Sequence, residues 1–104
     1  MKLRIDDVRP APSDDYIHTY SVNMAKTLIV AAEEHKFGDE VIELIDIDYD
    51  AGELARFGGD YIKLLDWLEE TGRSYPIRIH SMNVVGVENM RAIIQKNGWE
   101  EIRL

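Results

Sequence analysis

The fold is decided by the stretch VIELIDIDYDAGELARFGGDYIKLLDWLEETGRSYPIRIHS, residues 41–81. Its two ends, residues 41–48 and 75–81, are short runs rich in β-branched and other apolar side chains, as is typical of strands. Residues 59–71 between them have the apolar spacing of an amphipathic helix. The spaced side chains are Tyr61, Leu64, Leu65 and Leu68. A strand, a helix and a second strand in this order indicate one crossover of a parallel sheet.

The same alternation continues on both sides of this stretch. Residues 2–6 and 16–20 are predicted as strands, residues 21–36 and 86–97 as helices, and residues 101–104 as a closing strand. Gly38, Gly72 and Gly98 follow the three helices, as left-handed helix ends require. The sequence therefore predicts one α/β domain, residues 1–104, with a mainly parallel five-stranded sheet in the order 2-1-3-4-5.

The helices are expected on one face of this sheet only. Ile77 and Ile79 alternate with Arg78 and His80, whereas a strand covered on both faces should be apolar throughout. The connection over residues 7–16 is too short and proline-rich for a packing helix, and no helix follows the fifth strand. The second face should then be wet or meet a partner, for which a second copy of the chain is one candidate. The short connection also leaves open an antiparallel edge strand over residues 16–20.

Composition limits the classes of function. The chain has 104 residues, no cysteine and a formal net charge of -8, from 20 acidic and 12 basic residues. Disulfides and thiolate chemistry are excluded, and non-specific binding to nucleic acid or anionic membrane is disfavoured. No apolar run is long enough to span a bilayer and no signal-peptide pattern is present, so we expect a cytoplasmic protein.

Acidic residues gather where the predicted strands end. Asp6 and Asp7 follow the first strand, and no helical pattern follows that would explain them as a cap. Asp46 and Asp48 share one side of the third strand, and Asp50 is assigned to the loop beyond. The carboxyl ends of parallel strands meet in one crevice, where carboxylates are costly unless a cation or a proton neutralises them. We favour Asp46 as a site residue and leave Asp48 open between the site and a solvated loop.

Groups suited to phosphate stand beside these acids. His80 could exchange a proton near neutral pH, although a histidine at a strand end is more often an ordinary surface group. Ser81 can donate to a phosphoryl oxygen, and Asn83 is expected to cap the next helix. The planar donors of Arg9 suit phosphate as well as simple charge balance.

Three sequence motifs resemble the cyclic-phosphate-processing receiver-like family, a relative of response-regulator receiver domains. They are DDVRP at residues 6–10, DID at residues 46–48 and HSMN at residues 80–83, followed by Gly86. The resemblance implies a receiver or flavodoxin-like fold, and the short connection and the absence of a helix after the fifth strand indicate that the first and last receiver helices are lacking. It also implies a role in processing cyclic phosphates, such as a 2′,3′-cyclic phosphate on RNA or a nucleotide. The implied site residues are Asp6, Asp7, Arg9, Asp46, Asp48, His80, Ser81 and Asn83.

Two positions depart from the pattern. Ile47 stands where this family has a histidine, which removes one candidate acid–base group. A receiver also has a lysine at the end of its fifth strand, whereas Arg103 lies within the predicted fifth strand here. The second difference argues against a conventional phosphorylation switch.

The leading hypothesis is a metal-dependent phosphoesterase-like domain. Asp6, Asp7 and Asp46, with Asp48, would hold a divalent cation, Mg2+ or Mn2+. Arg9, Ser81 and Asn83 would bind phosphate oxygens, and the substrate would be a small phosphate ester or an RNA end. The alternative is an inactive divergent receiver that senses phosphate or pairs with another protein.

Overall fold

The computed structural model describes residues 1–103 and contains a four-stranded parallel sheet. The strands are β1 (Lys2–Ile5), β2 (Tyr16–Thr19), β3 (Leu44–Ile47) and β4 (Ile77–Ile79), in the order β2-β1-β3-β4. All three neighbouring pairs are parallel. The predicted parallel sheet and its strand order are confirmed, and the alternative of an antiparallel β2 is wrong.

The predicted fifth strand is reduced to one bridge. Glu101 pairs in parallel with Ile77, through bonds from Ile77 N to Glu100 O (2.9 Å) and from Ile102 N to Ile77 O (2.8 Å). Ile102 and Arg103 are irregular, and Leu104 lies outside the described residues. β4 is only three residues long, so it offers little backbone for a longer ladder.

Three helices alternate with the strands. They are α1 (Val22–Glu33), α2 (Ile62–Glu70) and α3 (Val84–Asn97), and a 3₁₀ turn, Gly52–Phe57, precedes α2. The predicted caps form, since Ser21 Oγ accepts from Met24 N (3.1 Å) and Asn83 Oδ1 accepts from Gly86 N (2.9 Å). α1 ends before the predicted Lys36, because His35 already takes the left-handed conformation expected of Gly38.

The hydrophobic core lies between one face of the sheet and the layer of helices. The sheet contributes one set of alternate residues, and each helix turns a stripe of apolar residues towards them. The buried sheet residues are Leu3, Ile5, Ile45, Ile47 and Ile77, and the buried helix residues include Ile29, Leu64, Leu68, Met90 and Ile94. α2 contacts both α1 and α3. The predicted covering of one face is confirmed.

The second face is covered in part by the connection from β1 to β2. The carbonyl of Arg9, in this connection, accepts a hydrogen bond from Arg4 Nε on this face (3.4 Å). Arg4 is therefore only 7% exposed although no helix packs on this face. The chain uses an irregular, proline-containing segment to shelter a sheet face that carries charged side chains.

None of the helices within residues 1–103 has the length and apolar composition needed to cross a membrane.

Candidate functional site

Two rows of charged side chains lie on the helix-free face. Arg4, Asp46 and Arg78 are register partners on β1, β3 and β4. Two residues further along each strand come Asp6, Asp48 and His80, which the two-residue period of a strand brings to the same face. We call these six residues together with Arg9 the polar cluster.

Asp46 is the innermost member of the polar cluster. Its carboxylate is completely buried, and Oδ2 accepts from Arg4 Nη1 (3.0 Å) with Arg78 Nη1 at 4.0 Å. Oδ1 lies 2.5 Å from His80 Nδ1. Burying a charge is costly unless it is paired and hydrogen-bonded, and Asp46 has both kinds of partner.

Asp6 is equally buried and has even more donors around it. Oδ1 accepts from the backbone N–H groups of Val8 and Arg9, both at 3.0 Å. Oδ2 lies 3.1 Å from Arg9 Nε and 2.9 Å from His80 Nε2. Burial by itself raises the pKa of Asp6, but the backbone donors of Arg9 and Val8, together with His80, outweigh it and lower this pKa to about 2. Asp6 is thus a fixed anion at neutral pH.

The ring of His80 is held between these two carboxylates. Nδ1 faces Asp46 and Nε2 faces Asp6, so both ring nitrogens meet an oxygen that, when ionised, can only accept. The hydrogen bonds therefore need a proton at both nitrogens or one on a carboxyl group. The two contacts hold the ring in a fixed orientation between the carboxylates.

Arg9 is a solvent-accessible member of the polar cluster. Its side chain is 44% exposed, yet its Nη2 donates to Asp48 Oδ2 and to the carbonyl of His80, both at 3.1 Å. Because Nε bonds Asp6, the guanidinium spans Asp6 and Asp48.

Arg78 is the second accessible cation of the polar cluster. Its side chain is 31% exposed, and Asp46 at 4.0 Å is its ion-pair partner. Within residues 1–103 no side-chain hydrogen bond of Arg78 is made, so its planar donors are available to an anion approaching this face.

One group of side chains could hold a metal ion. Asp6, Asp48 and His80 each offer one ligand atom, and these atoms lie within 4.8 Å of one another. Two carboxylates and an imidazole suit a divalent cation such as Mn2+, and the carboxylates alone suit Mg2+. The guanidinium of Arg9 contacts the same carboxylates, so a cation fits only after Arg9 has moved away.

Three residues implied by the sequence lie apart from the polar cluster. Asp7 stands against Gly52, where an added Cβ would come within 2.9 Å of Asp7 Oδ2. Ser81 Oγ accepts from Asn83 N (3.1 Å), and Asn83 caps α3. No hydrogen bond or ion pair within residues 1–103 connects these side chains to the polar cluster, and their roles at the site stay predictions.

Sequence reasoning missed Arg4 and Arg78 and misjudged the effect of Ile47. Arg4 and Arg78 each stand two residues before a predicted site residue, Asp6 and His80, and this spacing on a helix-free face was a usable signal.

Ile47 is fully buried in the core, on the other side of the sheet from Asp46. The isoleucine therefore removes no acid–base group from the polar cluster.

A parallel sheet in the order 2-1-3-4, with a buried acidic cluster where its strands end, defines a receiver-like α/β domain. A family model described as "Cyclic-phosphate processing Receiver domain" matches residues 1–96, and the chain belongs to this family. The resemblance noted in the sequence is thereby confirmed. Searches of curated proteins and of solved structures each found no match.

Proposed function

We propose that the polar cluster binds the cyclic phosphate of a nucleotide or of an RNA end and opens its ring. The observation that supports this most is the ring of His80, oriented by two buried carboxylates and flanked on the same face by accessible arginines. The family description, which names cyclic phosphates, points to the same class of ligand.

Binding would depend on local capture of the anion. With a net charge of -8 the whole chain repels phosphate, so affinity must come from a few placed donors. Arg9 and Arg78 supply such donors, while Arg4 already compensates the buried charge of Asp46. Ser81 and Asn83 are proposed to add further donors to the phosphate oxygens.

The chemistry would be transfer of one proton during hydrolysis. Water adds to phosphorus and releases one of its protons to the solvent, one ring P–O bond breaks, and the leaving oxygen takes the proton from Nε2 of His80, which the solvent then replaces. Asp46 keeps the Nδ1 side of the ring fixed during this step. A positioned acid of this kind typically contributes a rate factor of about 10²–10⁴.

A divalent cation, Mg2+ or Mn2+, is proposed at the oxygens of Asp6 and Asp48, with Asp7 nearby in the chain. When bound, such an ion polarises the phosphoryl oxygen. In this proposal Arg9 leaves the two carboxylates and turns to the phosphate, which its exposed side chain permits.

A second candidate is a module that binds a phosphate ligand without turning it over. It is favoured by the saturation of Asp6 and Asp46, whose oxygens all have donors already. Neither carboxylate is then free to activate water. This reading predicts affinity without product.

The test is incubation with 2′,3′-cyclic AMP, and with a short RNA ending in a cyclic phosphate, in Mg2+, Mn2+ or chelator. Products are followed by chromatography for the unmodified chain and for Asp46→Asn and His80→Gln. Glu34→Gln, an exposed change at the far end of α1, is the matched control. We expect ring opening that both site variants abolish and the control retains.

Turnover that survives in both site variants, with circular dichroism showing folded proteins, would refute the assignment. Ligand binding without any product would establish the binding module instead.

A further inference from the structure

α1 carries a second apolar stripe besides the one in the core. Val22, Ala25 and Ile29 are buried against the sheet. Met24 and Leu28 follow the same helical spacing about a third of a turn away; Met24 is 46% exposed, and Leu28 is partly buried against the core. Apolar surface of this kind marks a binding site only where it belongs to a larger patch or groove.

This stripe forms one wall of a groove beside β2. The groove has a volume of about 490 Å³, with β2 opposite α1 and Phe37 at one end. Phe37 is itself 43% exposed. The apolar part of its lining is formed by Ile17, Met24, Leu28, Ala31 and Phe37.

β2 is an edge strand, and one side of its backbone faces no neighbouring strand of the four-stranded sheet. It pairs with β1 and is the last strand on its side of the four-stranded sheet. The carbonyls of Asp15 and Thr19 accept hydrogen bonds from β1 and from the residue after it. Because alternate residues of a strand direct their backbone groups to opposite sides, the backbone N–H and C=O groups of Tyr16 and His18 point away from β1. Open edges of this kind accept an added strand.

The groove continues into an acidic end. A second cavity of about 380 Å³ shares Ile17 and Phe37 with it and is also lined by Asp14, Asp15, Glu40 and Glu43. Asp15 and Glu40 pair with Lys2 and the terminal amine. Within residues 1–103, Asp14 and Glu43 make no ion pair.

We propose that this edge of the sheet binds an extended basic segment of a partner protein, which adds as a strand next to β2. Its backbone would pair with Tyr16 and His18, its apolar side chains would fill the groove against Met24 and Leu28, and its Lys or Arg would meet Asp14 and Glu43. The acidic end favours a basic partner over a second copy of the chain. A second copy would bring the same acidic residues and a net charge of -8, and the like charges would repel. The groove is separate from the polar cluster, so the proposal is independent of any catalysis.

The experiment selects binders from a displayed library of random dodecapeptides on the immobilised chain. We expect enriched peptides to alternate apolar with basic residues, and the best one is then labelled for fluorescence anisotropy. Met24→Asp, at an exposed position, should weaken its binding by about tenfold or more. The double change Asp14→Asn with Glu43→Gln should weaken it and flatten its salt dependence. Glu88→Gln, at an exposed position of α3, which packs against α2, is the control and should leave affinity unchanged.

Backbone amide shifts on titration should concentrate in β2 and α1. Failure to enrich any peptide, or affinity that Met24→Asp leaves intact, would overturn the proposal. So would a dimer, detected by sedimentation, that Met24→Asp dissociates, because the occupant would then be a second copy.

Discussion

The guanidinium of Arg9 bridges Asp6 and Asp48, and a divalent cation at this site would need the same oxygens. Hydrogen bonds to charged groups are worth about 1.5–3 kcal/mol each, less where the donor is half-exposed. Arg9→Ala should therefore raise the affinity for Mn2+ by about tenfold or more, measured by calorimetry on the free protein. Arg103→Ala removes a guanidinium from Glu101 and is the matched control. Unchanged or weaker Mn2+ binding in Arg9→Ala would show that Arg9 does not occupy a cation site.

Arg78 allows a second prediction at this scale. Within residues 1–103 its donors make no hydrogen bond, and it lies in register with Asp46, so an anion can bind to it without displacing any hydrogen bond of that part of the chain. Arg78→Ala should weaken binding of 2′,3′-cyclic AMP by about tenfold, and Arg78→Lys should restore part of it, because lysine keeps the charge but loses the planar fork. Calorimetry at two salt concentrations measures both. Equal affinity for 2′,3′-cyclic AMP in the unmodified chain and both variants would show that Arg78 does not contribute to binding.

Single residues also show how far the site could be predicted. The acids Asp6, Asp46 and Asp48 were accessible to sequence reasoning because parallel strands deliver their carboxyl ends to one edge. The ion pair between Asp46 and Arg4 could not be predicted from the sequence, because it depends on the register between β1 and β3. Which acids have spare oxygens is likewise a property of the packed structure.

At the scale of elements, the contact between the start of α3 and the loop after β3 fixes the carboxyl edge of the sheet. Gly86 is buried in the first turn of α3, and a Cβ there would lie 2.4 Å from Cγ of Tyr49. Gly86→Ala should therefore destabilise the fold by about 1–3 kcal/mol, even though alanine favours a helix interior by up to about 1 kcal/mol. Chemical denaturation measures the change, with Glu88→Ala on the exposed side of α3 as control. Unchanged or increased stability of Gly86→Ala would mean that Tyr49 moves aside freely.

The elements themselves were largely predictable, because helical spacing and strand alternation are local patterns. The caps at Ser21 and Asn83 follow from side chains that accept backbone bonds within three residues. The fifth strand was overestimated, since residues 101–104 have a strand-like pattern but, of the described residues 101–103, only Glu101 pairs with β4. Nor does local pattern reveal that the connection after β1 crosses the helix-free face and buries Arg4.

At the scale of the whole molecule, Glu33 connects the helical layer to the segment that leads into β4. Arg73 donates to both of its oxygens at 2.8–3.1 Å, and the hydroxyl of Tyr75 donates to Oε2 at 2.6 Å. The bonds from Arg73, helped by Tyr75 and opposed by burial, lower the pKa of Glu33 from its usual value of 4.5. A carboxyl whose folded-state pKa is lowered adds stability above its unfolded pKa, and loses that stability as the pH falls through the folded value.

The stabilisation by Glu33 should accordingly be complete near neutral pH and be lost as the pH falls below 4.5 through the lowered folded-state pKa. Thermal unfolding should show Glu33→Gln less stable than the unmodified chain near pH 7, with the difference narrowing towards pH 3. Asp6 will not hide this effect, because its pKa of about 2 keeps that carboxylate ionised over most of the same range. Glu34→Gln, the neighbouring exposed residue, should follow the unmodified chain at every pH. If the difference in thermal stability between Glu33→Gln and the unmodified chain stays constant with pH, Glu33 stabilises the fold through packing rather than through its charge.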